Sequence, residues 1–116
     1  MPLDKDSAAL LDVARAARLV LAFKGDMTKD AFTDDYKTQS AIMHQLLIVG
    51  EATKRLTQEF RAAHPDIPWT LMAGMRNNLI HAYDSVDLGE VWKTAQDDVP
   101  ALLKLLEPLL PVEDED

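Results

Sequence analysis

Residues 68–83 read PWTLMAGMRNNLIHAY, and the way this stretch winds decides the fold. Pro68 suits the first turn of a helix, where its missing N–H costs nothing. The run to Ala82 then contains no further proline. A helix advances about 100° per residue, so Leu71, Met75, Leu79 and Ala82 fall on one arc and form a core stripe. Arg76, Asn77, Ile80, His81 and Tyr83 spread over an arc centred nearly opposite. The spacing therefore predicts a helix with one face in a bundle and a second, chemically loaded face pointing away from the core.

Working outward, the flanking chain is also helical in pattern. Glycine and proline are few and fall mostly between apolar-periodic runs. A first helix is expected over about Asp4 to Phe23, with Leu10, Val13, Ala14, Ala17 and Leu21 inward and Gly25 ending it. A short turn near Lys29–Asp34 follows, capped by Thr28. A second long helix is expected from about Asp35 to Ala63. Its inward residues are Ile42, Leu46, Val49, Leu56 and Phe60. Gly50 weakens that helix locally but permits close approach of a neighbour. The prolines of HPDIPW break the chain. Asp87 and Glu90 form a capping pattern that opens a last helix to about Leu109, kinked at Pro100. The expected fold is all-α, an antiparallel bundle of four main helices plus one short helix. It spans residues 1–110, with an acidic, disordered tail over 111–116.

Composition narrows the function. The chain has 116 residues, 47% of them apolar, enough for one modest core. It has no cysteine, which excludes disulfides, thiol catalysis and Cys-ligated zinc. Its three histidines lack metal-ligand spacing, so no metal site is expected. No Gly-rich phosphate loop or nucleophile elbow is present, and no cofactor is called for. The N-terminal segment does not read as a signal peptide, and charges interrupt it as a membrane span. A cytoplasmic setting is compatible with this. The net charge of −8 argues against nucleic acid at first sight. However, residues 84–116 hold ten acids and two lysines, whereas residues 1–83 are balanced. The stretch around RNNLIHAY can still present a positive surface.

Arg76 and His81 could be ordinary solvated residues, since RxxxxH arises by chance in many helices. The chemical alternative is metal-free RNA cleavage. There a ribose 2′-OH must lose a proton, which suits an imidazole with a pKa near 6.5. Charge gathering on the phosphoryl oxygens suits the planar fork of arginine. Asn77, one turn before His81, can orient the ring or donate to phosphate. Glu51, set in an apolar run, would need a partner such as Arg76 if it faced inward. A twofold dimer would bring two copies of Arg76 and His81 into one cleft. Trp69 and Trp92 read as core or interface anchors.

RNNLIHAY also resembles the Rx4HxY form of the HEPN superfamily signature, as found in HepT-like toxins. The segments FTDDYKTQSAIMHQLLIVGEATKRL and HPDIPWTLMAGMRNNLIHAYDSVD, followed by VW, extend the likeness over most of the chain. GEA, HPDIPW, GMRN and HxY in that order are far more specific than RxxxxH. The resemblance implies a dimerising helical bundle with the Arg–His motif at its cleft. It implies a metal-independent endoribonuclease, the toxin of a toxin–antitoxin pair acting on tRNA or mRNA. The implied partner is an MNT-type nucleotidyltransferase antitoxin that adenylylates the motif tyrosine. Carried over by position, Arg76 and His81 are catalytic, Asn77 supports them, Tyr83 is the modified residue, and Glu51 is a possible further support. The competing implication is a non-catalytic HEPN module that binds nucleotide or a nucleotidyltransferase.

Overall fold

The computed structural model describes residues 4–81 and 85–111, with His81 described by its backbone alone. The described residues form an all-helical bundle. Helix α1 spans Lys5–Lys24, α2 Lys29–Thr33, α3 Tyr36–Arg55, α4 Gln58–Ala63 and α5 Trp69–His81. The last arm is α6 (Leu88–Lys93), a π-helical turn (Thr94–Asp98), α7 (Val99–Leu106) and a 3₁₀ turn (Glu107–Leu109). The four main helices are thus α1, α3, α5 and the α6–α7 arm. Residues 112–116, where the acidic tail is expected, lie outside the described residues, as do Ala82 and Tyr83.

Helices α1 and α3 form the central pair. The buried face of α1 includes Ala9, Ala14, Ala16 and Ala17, small enough to let neighbouring helices sit close. Leu10, Val13 and Val20 supply the larger contacts, facing Ile42, Leu46 and Val49 of α3 in one continuous core. On the other flank, Phe32 of α2 meets Trp92 of α6 with ring centroids 5.4 Å apart. Helix α2 is also tied to α3 by Gln39, whose buried amide donates to the carbonyls of Phe32 and Thr33, each at 2.9 Å. That pairing offsets the cost of burying the amide.

Three expectations need correction. First, the helix predicted from Asp35 to Ala63 stops at Arg55, where Leu56 turns extended (ψ 142°) and α4 begins anew. Thr57 causes the break. Its hydroxyl accepts from the Phe60 N–H at 3.1 Å, while its own N–H and hydroxyl donate to Asp6 of α1 at 2.7 and 2.8 Å. An N-cap plus two bonds to a carboxylate outweigh continued helix. Second, the last arm yields one turn before Pro100. The Val99 N–H reaches back five residues to the Thr94 carbonyl. The widened turn relieves the clash that a proline ring has with the carbonyl four residues earlier. Third, the core stripe of α5 is rotated. Leu71 is 59% exposed, while Trp69, Met72 and Leu79 are buried. Met75 is partly buried. The rotation from the predicted stripe is roughly 70°. The Trp69 indole helps fix it by donating to the carbonyls of Arg61 and His64 at 3.1 and 3.0 Å, which seats the start of α5 against α4.

Aspartates cap the two central helices. Asp35 accepts from the Thr38 N–H at 3.0 Å and its hydroxyl at 2.8 Å, and these bonds hold its carboxyl below the ordinary 3.8. The Ser7 N–H does the same for Asp4. A depressed folded-state pKa adds stability above the unfolded value, and this is lost as pH falls through the folded one. Thermal unfolding should therefore show the melting temperature falling as pH drops below about 4. Asp35→Asn, which still accepts a hydrogen bond but does not titrate, should make that fall shallower.

Candidate functional site

The rotation of α5 changes where Arg76 points. It sits at the seam between α3 and α5, not opposite the core as the helical wheel predicts. Gly50 of α3 lies directly beneath it. A Cβ built on Gly50 would overlap the Arg76 Cβ and come within 2.9 Å of the Met72 carbonyl oxygen. The glycine expected to allow close approach does so, and the helix that approaches is the one carrying RNNLIHAY.

Beyond the glycine, the seam is polar. The Arg76 Nε donates to Glu51 Oε1 at 2.7 Å, and its Nη1 donates to Asn77 Oδ1 at 3.0 Å. Glu51 follows Gly50 in α3, so the contact that draws the helices together also sets the carboxylate beside the guanidinium. The Arg76 side chain is 25% exposed and that of Glu51 48%. Half-solvated pairs contribute about 1 kcal/mol or less. The pair's main effect is to orient. Two contacts on different nitrogens fix the plane of the fork, and neither uses Nη2, which can meet an anion from solvent.

Lys54, one helical turn beyond Gly50, also reaches the site. Its Nζ donates to Asn77 Oδ1 at 3.3 Å. The sequence reading did not single it out. Its place in ATKRL was the available signal, since residues i and i+4 share a helix face with Gly50.

Of the residues singled out for function, the structure brings Arg76, Asn77 and Glu51 together. His81 is the last residue of α5, five after Arg76. Its side chain, and all of Tyr83, lie outside the described residues. His44 is exposed on α3. His64, in the loop after α4, packs its ring on Phe60 at 4.7 Å. Trp69 and Trp92 are buried anchors, as expected. Among the described residues, no group of three His, Asp or Glu side chains could hold a metal ion. No described helix is long and apolar enough to cross a membrane.

The other flank of α5 faces the α6–α7 arm across an open groove of about 360 Å³, lined by Leu71, Gly74, Met75, Asn78, Glu90 and Asp98, among others. The exposed Leu71 that the predicted stripe placed in the core belongs to this groove.

Comparison with known proteins shows the family of the chain. The model of the family described as "Ribonuclease HepT-like" matches residues 13–109, a span that includes α3, the seam and all of α5. The chain belongs to the HepT-like family. It is 43% identical over 100 residues to a protein of Thermococcus cleftensis named "Probable ribonuclease HepT", covering 86% of this chain and 91% of that one. It is 35% identical over 110 residues to a "Putative RNase" of Methanocaldococcus jannaschii, covering 95% and 91%. A "Putative RNase" of Caldanaerobacter subterraneus is 38% identical over 92 residues, covering 79% and 81%. No solved structure matches.

For this HepT-like chain the seam yields a direct test. Alanine for glycine inside a helix ordinarily stabilises by about 1 kcal/mol. Here the added methyl meets the backbone of α5, so Gly50→Ala should instead destabilise by about 1–3 kcal/mol. Denaturant unfolding measures this.

Proposed function

We propose that this chain is the toxin of a toxin–antitoxin pair and a metal-independent endoribonuclease acting on cellular RNA. The observation that carries the reading is the guanidinium of Arg76, fixed by Glu51 and Asn77, with Nη2 having no hydrogen-bond partner among the described residues. Surface arginines are usually mobile; this one is aimed. Its position within a family of ribonucleases supplies the rest.

In the proposed reaction His81, as general base, takes the proton of a ribose 2′-OH. The 2′ oxygen bonds to the adjacent phosphorus and the bond from phosphorus to the 5′ oxygen breaks. The products are a 2′,3′-cyclic phosphate and a 5′-hydroxyl, the latter formed as a proton is returned to the leaving oxygen. Arg76 donates to a non-bridging oxygen, where negative charge gathers in the transition state. Asn77 and Glu51 support it by holding the fork. A twofold dimer across α5 would supply two copies of Arg76 and His81 to one cleft. Ile80, 42% exposed on that helix, would give the interface an apolar contact.

The proposed antitoxin is an MNT-type nucleotidyltransferase that adenylylates Tyr83. The phosphodiester anion so placed, two residues from His81, would compete for Arg76 with the phosphate of RNA.

Arg76→Ala and His81→Ala should each reduce cleavage of tRNA or mRNA by at least about a hundredfold and relieve growth arrest. Both should keep the helical circular-dichroism spectrum. Wild-type rates in both variants would reject the assignment. Separately, mass spectrometry of the protein co-expressed with such a nucleotidyltransferase should find AMP on Tyr83. Neutralised toxin carrying no such adduct would exclude that route.

A further inference from the structure

We infer that Lys54 is a second phosphate-binding cation of this site, acting with Arg76 on one phosphodiester of the RNA; this rests on the ribonuclease reading above.

Two cations end α3, and the structure treats them differently. Arg55 Nη2 lies 2.6 Å from Asp12 Oδ2 of α1, a direct ion pair. Lys54 turns the other way and crosses the seam to α5. Its partner there is the neutral amide oxygen of Asn77, at 3.3 Å. Among the described residues Lys54 has no carboxylate within ion-pair distance. Arg76 Nη1 donates to the same oxygen at 3.0 Å. The two cationic nitrogens therefore lie no more than 6.3 Å apart, the sum of those distances. Glu51 balances one of the two charges. The cluster is left with one excess positive charge on a chain whose net charge is −8.

Like charges held this close around a single neutral acceptor are better satisfied by an anion. A phosphodiester offers two non-bridging oxygens. Nη2, which shares its carbon with Nη1, and Lys54 Nζ can each give one of these oxygens a charge-assisted bond of about 2.8 Å. The roles differ by chemistry. Arg76, held in plane, has the geometry to follow charge developing in the transition state. Lys54 is a point charge on a flexible stem, 3.3 Å from its one hydrogen-bond partner among the described residues, and is suited to attracting and holding substrate. Its loss should act on ground state and transition state alike, raising KM and sparing kcat. A merely structural Lys54 would show none of this, because an exposed lysine on an amide oxygen contributes little to stability.

The experiment compares wild type, Lys54→Gln, Lys54→Arg and Arg76→Ala as full-length protein. Binding is measured on single-stranded 2′-O-methyl RNA, whose capped nucleophile prevents cleavage, over a range of salt. Cleavage kinetics are measured on tRNA. Lys54→Gln should weaken binding by roughly three- to tenfold and make the salt slope shallower by about 0.7. It should raise KM by a similar factor, leave the melting temperature unchanged, and be rescued by Lys54→Arg. Wild-type affinity and slope in Lys54→Gln, beside lost cleavage in Arg76→Ala, would overturn the role of Lys54 and leave the ribonuclease reading standing. A fall in kcat at unchanged affinity would overturn it too. Wild-type protein that neither binds nor cleaves RNA would overturn both.

Discussion

The absence of one carbon atom at Gly50 governs the placement of Arg76. Where α3 and α5 cross, the α5 backbone lies so close that a Cβ would be 2.9 Å from the Met72 carbonyl oxygen. Glycine inside a helix costs about 1 kcal/mol against alanine. That cost is offset by the contact it permits, since Met72 and Leu79 of α5 bury against the core in the same packing. The guanidinium then needs no long reach to find Glu51. The ion pair, half-solvated, is too weak to set the crossing itself. Backbone packing sets the geometry, and the charges orient within it.

Helix α5 consequently has two unlike flanks. Toward α3 it is closely packed, and its polar residues meet those of the partner helix in a small network of Arg76, Glu51, Asn77 and Lys54. Toward the α6–α7 arm it is loosely covered, and Leu71, Gly74 and Met75 line an open groove. A simple four-helix bundle would pack both flanks alike. The π turn at Thr94–Asp98 contributes to the difference, because Thr94 and Asp98, at its two ends, line the groove opposite α5.

Local signals in the sequence were read well. The caps at Thr28 and Asp87, the stop at Gly25 and the break at HPDIPW rest on interactions within a few residues, and these are visible in one dimension. The break after Arg55 was missed because its cause is distant: Thr57 is claimed by Asp6, fifty-one positions away. The stripe on α5 was misplaced for a similar reason. A helical wheel ranks Leu71 above Met72 on pattern, but the rotation follows from the Trp69 indole on α4 and from the fit over Gly50. Arg76, Asn77 and Glu51 could be named from residue chemistry and family likeness. Their meeting at one seam required the fold, and so did Lys54, whose relevance is solely its reach across two helices.

The separation of charge along the chain has a kinetic consequence. Glu90 and Asp98 border the groove on one flank of α5, while Lys54 and Arg76 mark the other. Fields of this kind extend about a Debye length, roughly 8–10 Å in physiological salt. On the proposed reading of the site, an incoming RNA would be repelled from the acidic arm and drawn to the seam, so that its diffusional encounters are oriented before contact. A protein with an overall negative charge can thus steer a nucleic acid, because the substrate responds to the nearest charges and not to their total.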